Sequence, residues 1–290
     1  FLNKVPIISQ IIEWFGFSSK RSLPIVENQS PLREIYNSQP NLEKKVILFA
    51  DTFNINFEIK NLMYAIRVIN KFGYQAIIPS FQNDNLDRPL CCGRTYISMG
   101  QLDKAKSELE RFTSYITENG YNELPVIGIE PSCLLTFNDE FKSFSKLNGR
   151  DKIKNSFLLL EEFVLNEIKN GNQIKPKDFD KKVLIHGHCH QKAARAMGPV
   201  ESLLQRIPGL KVSMIESSCC GMAGHFGYQT ETAKESIAMA ELDLLPAVRS
   251  ASSNARIIAD GTSCRHQITD NTARQAEHVA VLLAEHLRKD

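Results

Sequence analysis

The alternation of apolar and polar residues predicts strands and helices in two similar series. A short β-branched run follows each of the charged pairs Lys44-Lys45 and Lys181-Lys182, which is typical of a buried strand. In both series an amphipathic stretch, a glycine, a second strand, a second amphipathic helix and a third strand come next. The helices are predicted at 57–72, 102–117, 191–207 and 232–249, and the later strands at 75–78, 126–129, 210–215 and 256–259.

Cysteine motifs fall at matching places in the two series, which indicates a duplication. Each series has a Cys-Cys-Gly motif after its second strand and a Ser-Cys pair after its third. From Cys92 to Cys133 is 41 residues, and from Cys220 to Cys264 is 44. The pattern predicts an α/β protein of two tandem, related lobes, each a small, mainly parallel sheet flanked by helices. Because sites in such sheets form beyond the carboxyl ends of the strands, we expect the cysteines to meet there.

The segments outside the repeats set the predicted boundaries. An N-terminal helix at Ile7–Phe15 and a proline-containing arm occupy 1–43, the first repeat 44–150, a connecting helix 151–180 and the second repeat 181–290. The start at Phe1 rather than Met predicts a processed product or a piece of a longer protein. The first residues are too short and too interrupted for a membrane span, and they lack the features of a signal peptide.

Composition narrows the classes of partner and the cellular location. Of the 290 residues, 42% are hydrophobic, and the formal net charge is only +2. So weak a charge argues against nucleic acid as the main partner. We expect a cytoplasmic protein, with peripheral association with the inner membrane as an alternative, and in that compartment thiols stay free for metal or redox chemistry.

The chemistry of the seven cysteines favours a metal cluster. A disulfide between adjacent cysteines would be strained, because their Cα atoms are about 3.8 Å apart. The glycines after the two Cys-Cys pairs permit a turn that aims both thiols at one cofactor. With no CxxC knuckle present, four thiols from three loops favour a four-iron cluster, and zinc remains an alternative. The predicted ligands are Cys189, Cys219, Cys220 and Cys264.

Histidines and arginines near the cysteines have two interpretations. A catalytic thiol at Cys189 is disfavoured, because in an extended segment the histidines at 186, 188 and 190 would project away from it. They could instead donate hydrogen bonds to cluster sulfur, or be ligands themselves, or simply be satisfied polar residues. Candidate donors are His188, His190, His225 and His266. Candidates for tuning a cluster or contacting an acid substrate, or else for loop salt bridges, are Arg94, Arg195 and Arg265.

The motifs CCG, HGHCHQKA, CCGMAGHFGY, EPSCLLTFNDE and GTSCRHQ together resemble the CCG, or cysteine-rich, domain family. That family includes the iron-sulfur subunits of glycolate oxidase and anaerobic glycerol-3-phosphate dehydrogenase, and the B subunit of heterodisulfide reductase. The chain looks like the C-terminal region of fused FAD-linked oxidases that act on D-lactate or D-2-hydroxyglutarate. The resemblance covers about residues 44–287 and implies an iron-sulfur cluster in each repeat.

This sequence departs from the family pattern of a leading cysteine, then CCG, then CxxC. In the first half the leading position falls at Asp51 or Thr52, and both CxxC motifs have lost their second cysteine. The second half keeps four thiols, enough for one ordinary four-iron cluster, whereas a non-cubane cluster is disfavoured. The first half keeps three, with Asp51 as a possible oxygen ligand, and holds zinc, a labile cluster or no metal. Its candidate ligands are Cys91, Cys92, Cys133 and Asp51.

The resemblance implies an electron-transfer region of a larger oxidoreductase. Electrons would pass from FAD, held on another domain of the parent protein, through the cluster to an acceptor. Flavin-binding and ferredoxin-like domains of the same parent are the implied partners, and the fragment alone is expected to be inactive. Two rivals remain: a zinc-stabilised interaction module, and a thiol-disulfide reductase of the heterodisulfide type.

Overall fold

The chain folds into two compact units, each built around its own sheet. A computed structural model describes residues 6–82, 88–144, 153–172, 175–176 and 181–288. The first lobe contains the described residues of Val26–Lys177, Gly198–Arg206 and Ala280–Asp290. The second lobe contains those of Phe1–Ile25, Asp178–Met197 and Ile207–Val279.

Two four-stranded parallel sheets have the same strand order, which confirms the predicted α/β fold of two related lobes. The first sheet is formed by β1 (Lys44–Phe49), β2 (Tyr74–Ile77), β3 (Val126–Gly128) and β4 (Phe157–Leu159), in the order β2-β1-β3-β4. A short antiparallel pair, β5 (Lys175–Pro176) with β10 (Leu287–Arg288), also belongs to the first lobe. The second sheet is formed by β6 (Lys182–His186), β7 (Lys211–Met214), β8 (Arg256–Ala259) and β9 (Ala276–Glu277), in the order β7-β6-β8-β9.

Burial explains why the central strands could be predicted and the fourth strands could not. All residues from Val46 to Phe49 are at most 2% exposed, as expected for a parallel strand covered on both faces. The fourth strands, β4 and β9, span three and two residues, too few to show an alternating pattern. Strand β4 lies in the segment predicted as a connecting helix, so the helix there begins only at Leu160.

In the described residues, two helices precede β1 and the others follow it along the chain. They are α1 (Pro6–Trp14), α2 (Ser30–Asn37), α3 (Thr52–Phe57), α4 (Ile59–Lys71), α5 (Pro79–Gln82), α6 (Arg94–Ser98), α7 (Leu102–Glu118), α8 (Pro131–Asn138), α9 (Glu140–Ser143), α10 (Leu160–Lys169), α11 (Cys189–Ala193), α12 (Met197–Leu204), α13 (Ala233–Glu241), α14 (Leu244–Ser250), α15 (Thr262–Asn271) and α16 (Val279–His286). A 3-10 turn occupies Gly224–Gly227. None of these helices is both long and apolar enough to cross a bilayer.

Three differences from the predicted helices have local causes. The predicted helix 191–207 is two helices, since Arg195 adopts a positive φ of 56° that ends α11. The predicted helix 232–249 is also two, and Pro246 lies in the first turn of α14, where a missing N–H costs no hydrogen bond. Helix α2 lies in the predicted arm, because Pro31 occupies its first turn and favours the start of a helix.

Candidate metal centre

Three loops of the second lobe gather four cysteines beyond the carboxyl ends of its strands. Cys189 follows β6, Cys219 and Cys220 follow β7, and Cys264 follows β8. Successive thiols lie close enough to interact, Cys189 with Cys219, Cys219 with Cys220 and Cys220 with Cys264. Cys189 is exposed and Cys219 half-buried, whereas the other two thiols are buried. The four sulfur atoms therefore form one contiguous group with an open side.

A helix start positions Cys189. His188 is the N-cap of α11, and its Nδ1 accepts a hydrogen bond from the backbone of His190 at 3.2 Å. The side chain of Gln191 accepts from the His188 backbone at 3.1 Å and donates to Asp260 at 3.1 Å, which ties this helix to the end of β8. A Cβ on Gly261 would overlap the His188 ring, so the two loops can approach this closely only with glycine there.

The turn at Gly221 aims both cysteines of the second CCG motif into the group. Gly221 has a φ of 82°, and its backbone N–H donates to the Cys219 sulfur at 3.3 Å. A Cβ at this position would overlap the carbonyl oxygen of Ser236. The left-handed conformation and the close approach both require glycine, as the sequence predicted.

His186, one of the three histidines around Cys189 in the sequence, is the one that lies deepest in the thiol group. It ends β6, is 1% exposed, and lies within 4.8 Å of the Cys220 and Cys264 sulfurs through one ring nitrogen. Its Nδ1 forms a hydrogen bond with the Ser217 hydroxyl at 2.9 Å. Among the described residues, its buried Nε2 has no hydrogen-bond partner. A buried imidazole nitrogen without a partner, beside two thiols, fits a metal or a cluster sulfur.

The other predicted histidines have different roles. His188 Nδ1 lies 3.9 Å from the Cys189 sulfur, so the expectation that it points away is wrong. The reason is that Cys189 begins a helix rather than continuing an extended strand. The ring of His190 stacks on that of His188, with the ring centroids 5.3 Å apart. His266 Nδ1 shares a hydrogen bond with the Tyr228 hydroxyl at 3.0 Å. His225 is exposed in the 3-10 turn.

The surroundings of the second-lobe thiols favour negative charge on two of them. Hydrogen bonds from Cys189 and Cys220 hold the pKa of the Cys219 thiol well below its ordinary value. The pKa of Cys264 is also lowered, by the hydrogen bond from Cys220 and by the nearby imidazole of His186. Thiolates are the form that binds metal, and these contacts supply them inside a largely buried group.

The first lobe repeats the turn but not the whole group. The Gly93 N–H donates to the Cys91 sulfur at 3.4 Å, and Cys92 lies close enough to interact with both Cys91 and Cys133. Asp51 caps α3 as His188 caps α11, so Thr52 stands where the second lobe has Cys189. By the same alignment Phe49 takes the place of His186, and its ring packs against Phe112 and Phe137.

Buried carboxylates make the first-lobe group less suited to thiolates. Both Asp51 oxygens already accept hydrogen bonds, from the Phe53 and Asn54 backbones at 3.0 Å and from the Asn54 amide at 2.7 Å. Burial and repulsion from Glu130 raise the pKa of Asp51 to about 7. The hydrogen bond from Cys92 lowers the pKa of Cys133, but burial and the two carboxyl groups outweigh it and raise the pKa to about 11.

The three arginines near the cysteines lie in loops and helix ends. Arg265 is buried and donates to the Ala259 and Asp260 carbonyls at 2.8 Å, which holds the end of β8. Arg94 forms an ion pair with Glu140. Arg195 is exposed at the end of α11.

An arginine in the predicted arm supports the CCG loop through buried hydrogen bonds. Arg21 is 1% exposed and donates to the Gly227 carbonyl at 2.8 Å, to the Ser236 hydroxyl at 2.9 Å and to the Gln267 side chain. Gln267 in turn donates to the Cys220 carbonyl at 2.7 Å. Nothing in the polar, proline-containing arm indicated such a role, because it depends on contacts more than 200 residues away along the chain.

Removing the Arg21 side chain should destabilise the second lobe. Arg21→Ala removes the Arg21 donor from the buried Gly227 carbonyl and Ser236 hydroxyl, and it removes one of two donors to Gln267 Oε1. We therefore expect the free energy of unfolding to fall by about 3 kcal/mol. Urea unfolding of the metal-free chain measures this. Lys20→Ala is the matched control, because Lys20 is the exposed neighbour, and its effect should stay within about 0.5 kcal/mol. Equal effects of the two substitutions would show that the Arg21 network contributes nothing.

Comparison with known proteins identifies the cysteine-bearing segment. The model of the cysteine-rich domain family, CCG, matches residues 183–269, from β6 into α15. This segment is similar to a CCG domain. It contains all four cysteines of the second lobe, so the resemblance predicted from the sequence is confirmed.

Three relatives are similar to this chain, and two of them are dehydrogenases or dehydrogenase subunits by name. One subunit of the anaerobic glycerol-3-phosphate dehydrogenase of Escherichia coli is 26% identical over 88% of this chain and 62% of its own length. The D-2-hydroxyglutarate dehydrogenase of the same organism is 23% identical over 79% of this chain but only 21% of its own length. Lactate utilization protein A of Bacillus velezensis is 24% identical over 63% of this chain and 74% of its own length. The chain thus spans less than two thirds of the first two relatives.

Proposed function

We propose that the second lobe binds one four-iron iron-sulfur cluster through Cys189, Cys219, Cys220 and Cys264. The observation that carries this proposal is the continuous chain of thiol contacts from three loops at one end of a parallel sheet. Four sulfur ligands fit such a cluster, and the buried, unpartnered Nε2 of His186 fits a group with acceptor sulfur. When bound, the cluster supplies a one-electron redox centre.

The residues of the chain would bind that centre, bury its inner side and stabilise negative charge on its sulfur ligands. Cys220 and Cys264 are buried, so they fix the inner side, whereas Cys189 and Cys219 face the open side where an electron could enter or leave. The backbone N–H of Gly221 and the imidazole of His186 would stabilise negative charge on sulfur. The first lobe, with three thiols and two buried carboxyl groups, would lack a complete cluster site.

The wider function rests on the two relatives that are a dehydrogenase subunit and a dehydrogenase by name. The chain would form the electron-transfer region of a larger oxidoreductase that removes electrons from a 2-hydroxy acid at FAD on another domain. Flavin-binding and ferredoxin-like domains would be its partners, and this region would have no dehydrogenase turnover alone.

Reversible reduction by a flavin tests the proposed function. At wavelengths where FMN and ferricyanide do not absorb, the anaerobically purified chain should show visible absorption that bleaches on adding photoreduced FMN and returns on adding ferricyanide. A chain with cysteine-bound zinc would show neither change, which would favour the interaction module. A chain that instead catalyses thiol-disulfide exchange, and loses that activity in Cys220→Ser, would favour the reductase.

A further inference from the structure

Lys192 lies closer to the cysteine group than any motif of the sequence indicated. It is the fourth residue of α11, and its ammonium donates to the backbone carbonyls of Ser217 and, at 2.9 Å, of Ser218. These two serines directly precede Cys219 and Cys220. One side chain therefore joins the helix that begins at Cys189 to the loop that carries the CCG motif.

Negative charge on each of the second-lobe thiols affects the pKa of the Lys192 ammonium. Burial lowers the pKa of Lys192, while negative charge on Cys264, Cys189, Cys219 and Cys220 raises it. The hydrogen bonds to the Ser217 and Ser218 carbonyls hold this cation next to the loop that carries Cys219 and Cys220. Such a charge would stabilise negative charge on sulfur.

The first lobe provides an internal comparison for this lysine. At the matching fourth position of α3 it has Ile55, which is 1% exposed. Pro89 and Leu90 precede its CCG motif where the second lobe has Ser217 and Ser218. The first lobe thus makes the same turn at Gly93 with no lysine, so the fold of the repeat does not require one. Lysine occurs together with the fourth thiol and the buried imidazole, and all three are replaced in the first lobe.

We propose that Lys192 is a positioning residue whose hydrogen bonds join the CCG loop to α11 and whose charge raises the reduction potential of the cluster. This inference rests on the proposed function. Reduction adds one negative charge to the group, and a nearby cation stabilises the reduced form more than the oxidised form. Removing the cation should therefore make the cluster harder to reduce.

The test is a redox titration of the anaerobically purified full chain, with iron and acid-labile sulfide counted in the same samples. In Lys192→Met we expect the equilibrium constant for reduction to fall about tenfold, a shift of about 59 mV to lower potential. Lys192→Arg keeps the charge and should stay closer to the wild-type value. Lys211→Met removes an equal charge from an exposed position at the start of β7 and should leave the potential unchanged.

Metal content separates the possible failures. A fully loaded Lys192→Met variant with the wild-type potential would overturn the role of Lys192 and leave the proposed function standing. If Lys192→Met does not load, Lys192→Gln keeps a donor for the Ser218 carbonyl without the charge, and the same fall is expected there. A wild-type chain without iron or sulfide would overturn the proposed function, and this inference with it.

Discussion

Cys264→Ser should remove most of the iron and acid-labile sulfide from the chain, whereas Cys133→Ser should leave both near the wild-type level. The two cysteines hold the same position, the third residue of the helix after the third strand of their repeat. Both are buried, so the two substitutions are structurally alike. Only Cys264 belongs to a group of four thiols, and losing one of four ligands should release the cluster.

Iron and sulfide analysis after anaerobic purification measures this difference, with circular dichroism to show that both variants are folded. Loss of iron from Cys133→Ser to the same extent as from Cys264→Ser would contradict the assignment of the cluster to the second lobe. Full retention in Cys264→Ser would contradict the ligand set itself.

Gly221→Ala should be among the most destabilising small substitutions in the second lobe. A Cβ there would overlap the Ser236 carbonyl, and the φ of 82° is unfavourable for any residue with a side chain. Overlap with a helix backbone and left-handed strain together should lower the free energy of unfolding by about 3–5 kcal/mol. Because the turn also aims Cys219 and Cys220, the variant should lose iron as well.

Gly224→Ala is the matched control for the overlap. Gly224 also has a positive φ, of 63°, but nothing lies within 4 Å of a Cβ placed on it. Only the backbone strain remains, so we expect a loss of about 1 kcal/mol. Urea unfolding of the metal-free variants separates packing from metal binding. A Gly221→Ala variant no less stable than Gly224→Ala would show that the close approach to Ser236 is not a constraint.

The repeat made much of the fold and the thiol group predictable. Matching motifs after matching strands predicted where Cys189, Cys219, Cys220 and Cys264 would lie, because parallel strands present their carboxyl ends at one edge. Glycine after each Cys-Cys pair predicted the turn, which the positive φ of Gly93 and Gly221 confirms.

What escaped prediction depends on contacts between distant parts of the chain. Arg21 lies in a segment with the composition of a linker, and its role follows only from the buried acceptors that meet it. The sequence did not distinguish His186 from the two histidines after it, because only the fold brings its ring beside Cys220 and Cys264. The orientation of His188 was misjudged because a helix, rather than more extended chain, begins directly after it.

Counting iron, acid-labile sulfide and zinc per chain after anaerobic purification tests the central claim most directly. The account predicts about four iron and four sulfide per chain, as one four-iron cluster requires, and both lost together in Cys264→Ser. Stoichiometric zinc without sulfide in the wild-type chain would contradict it.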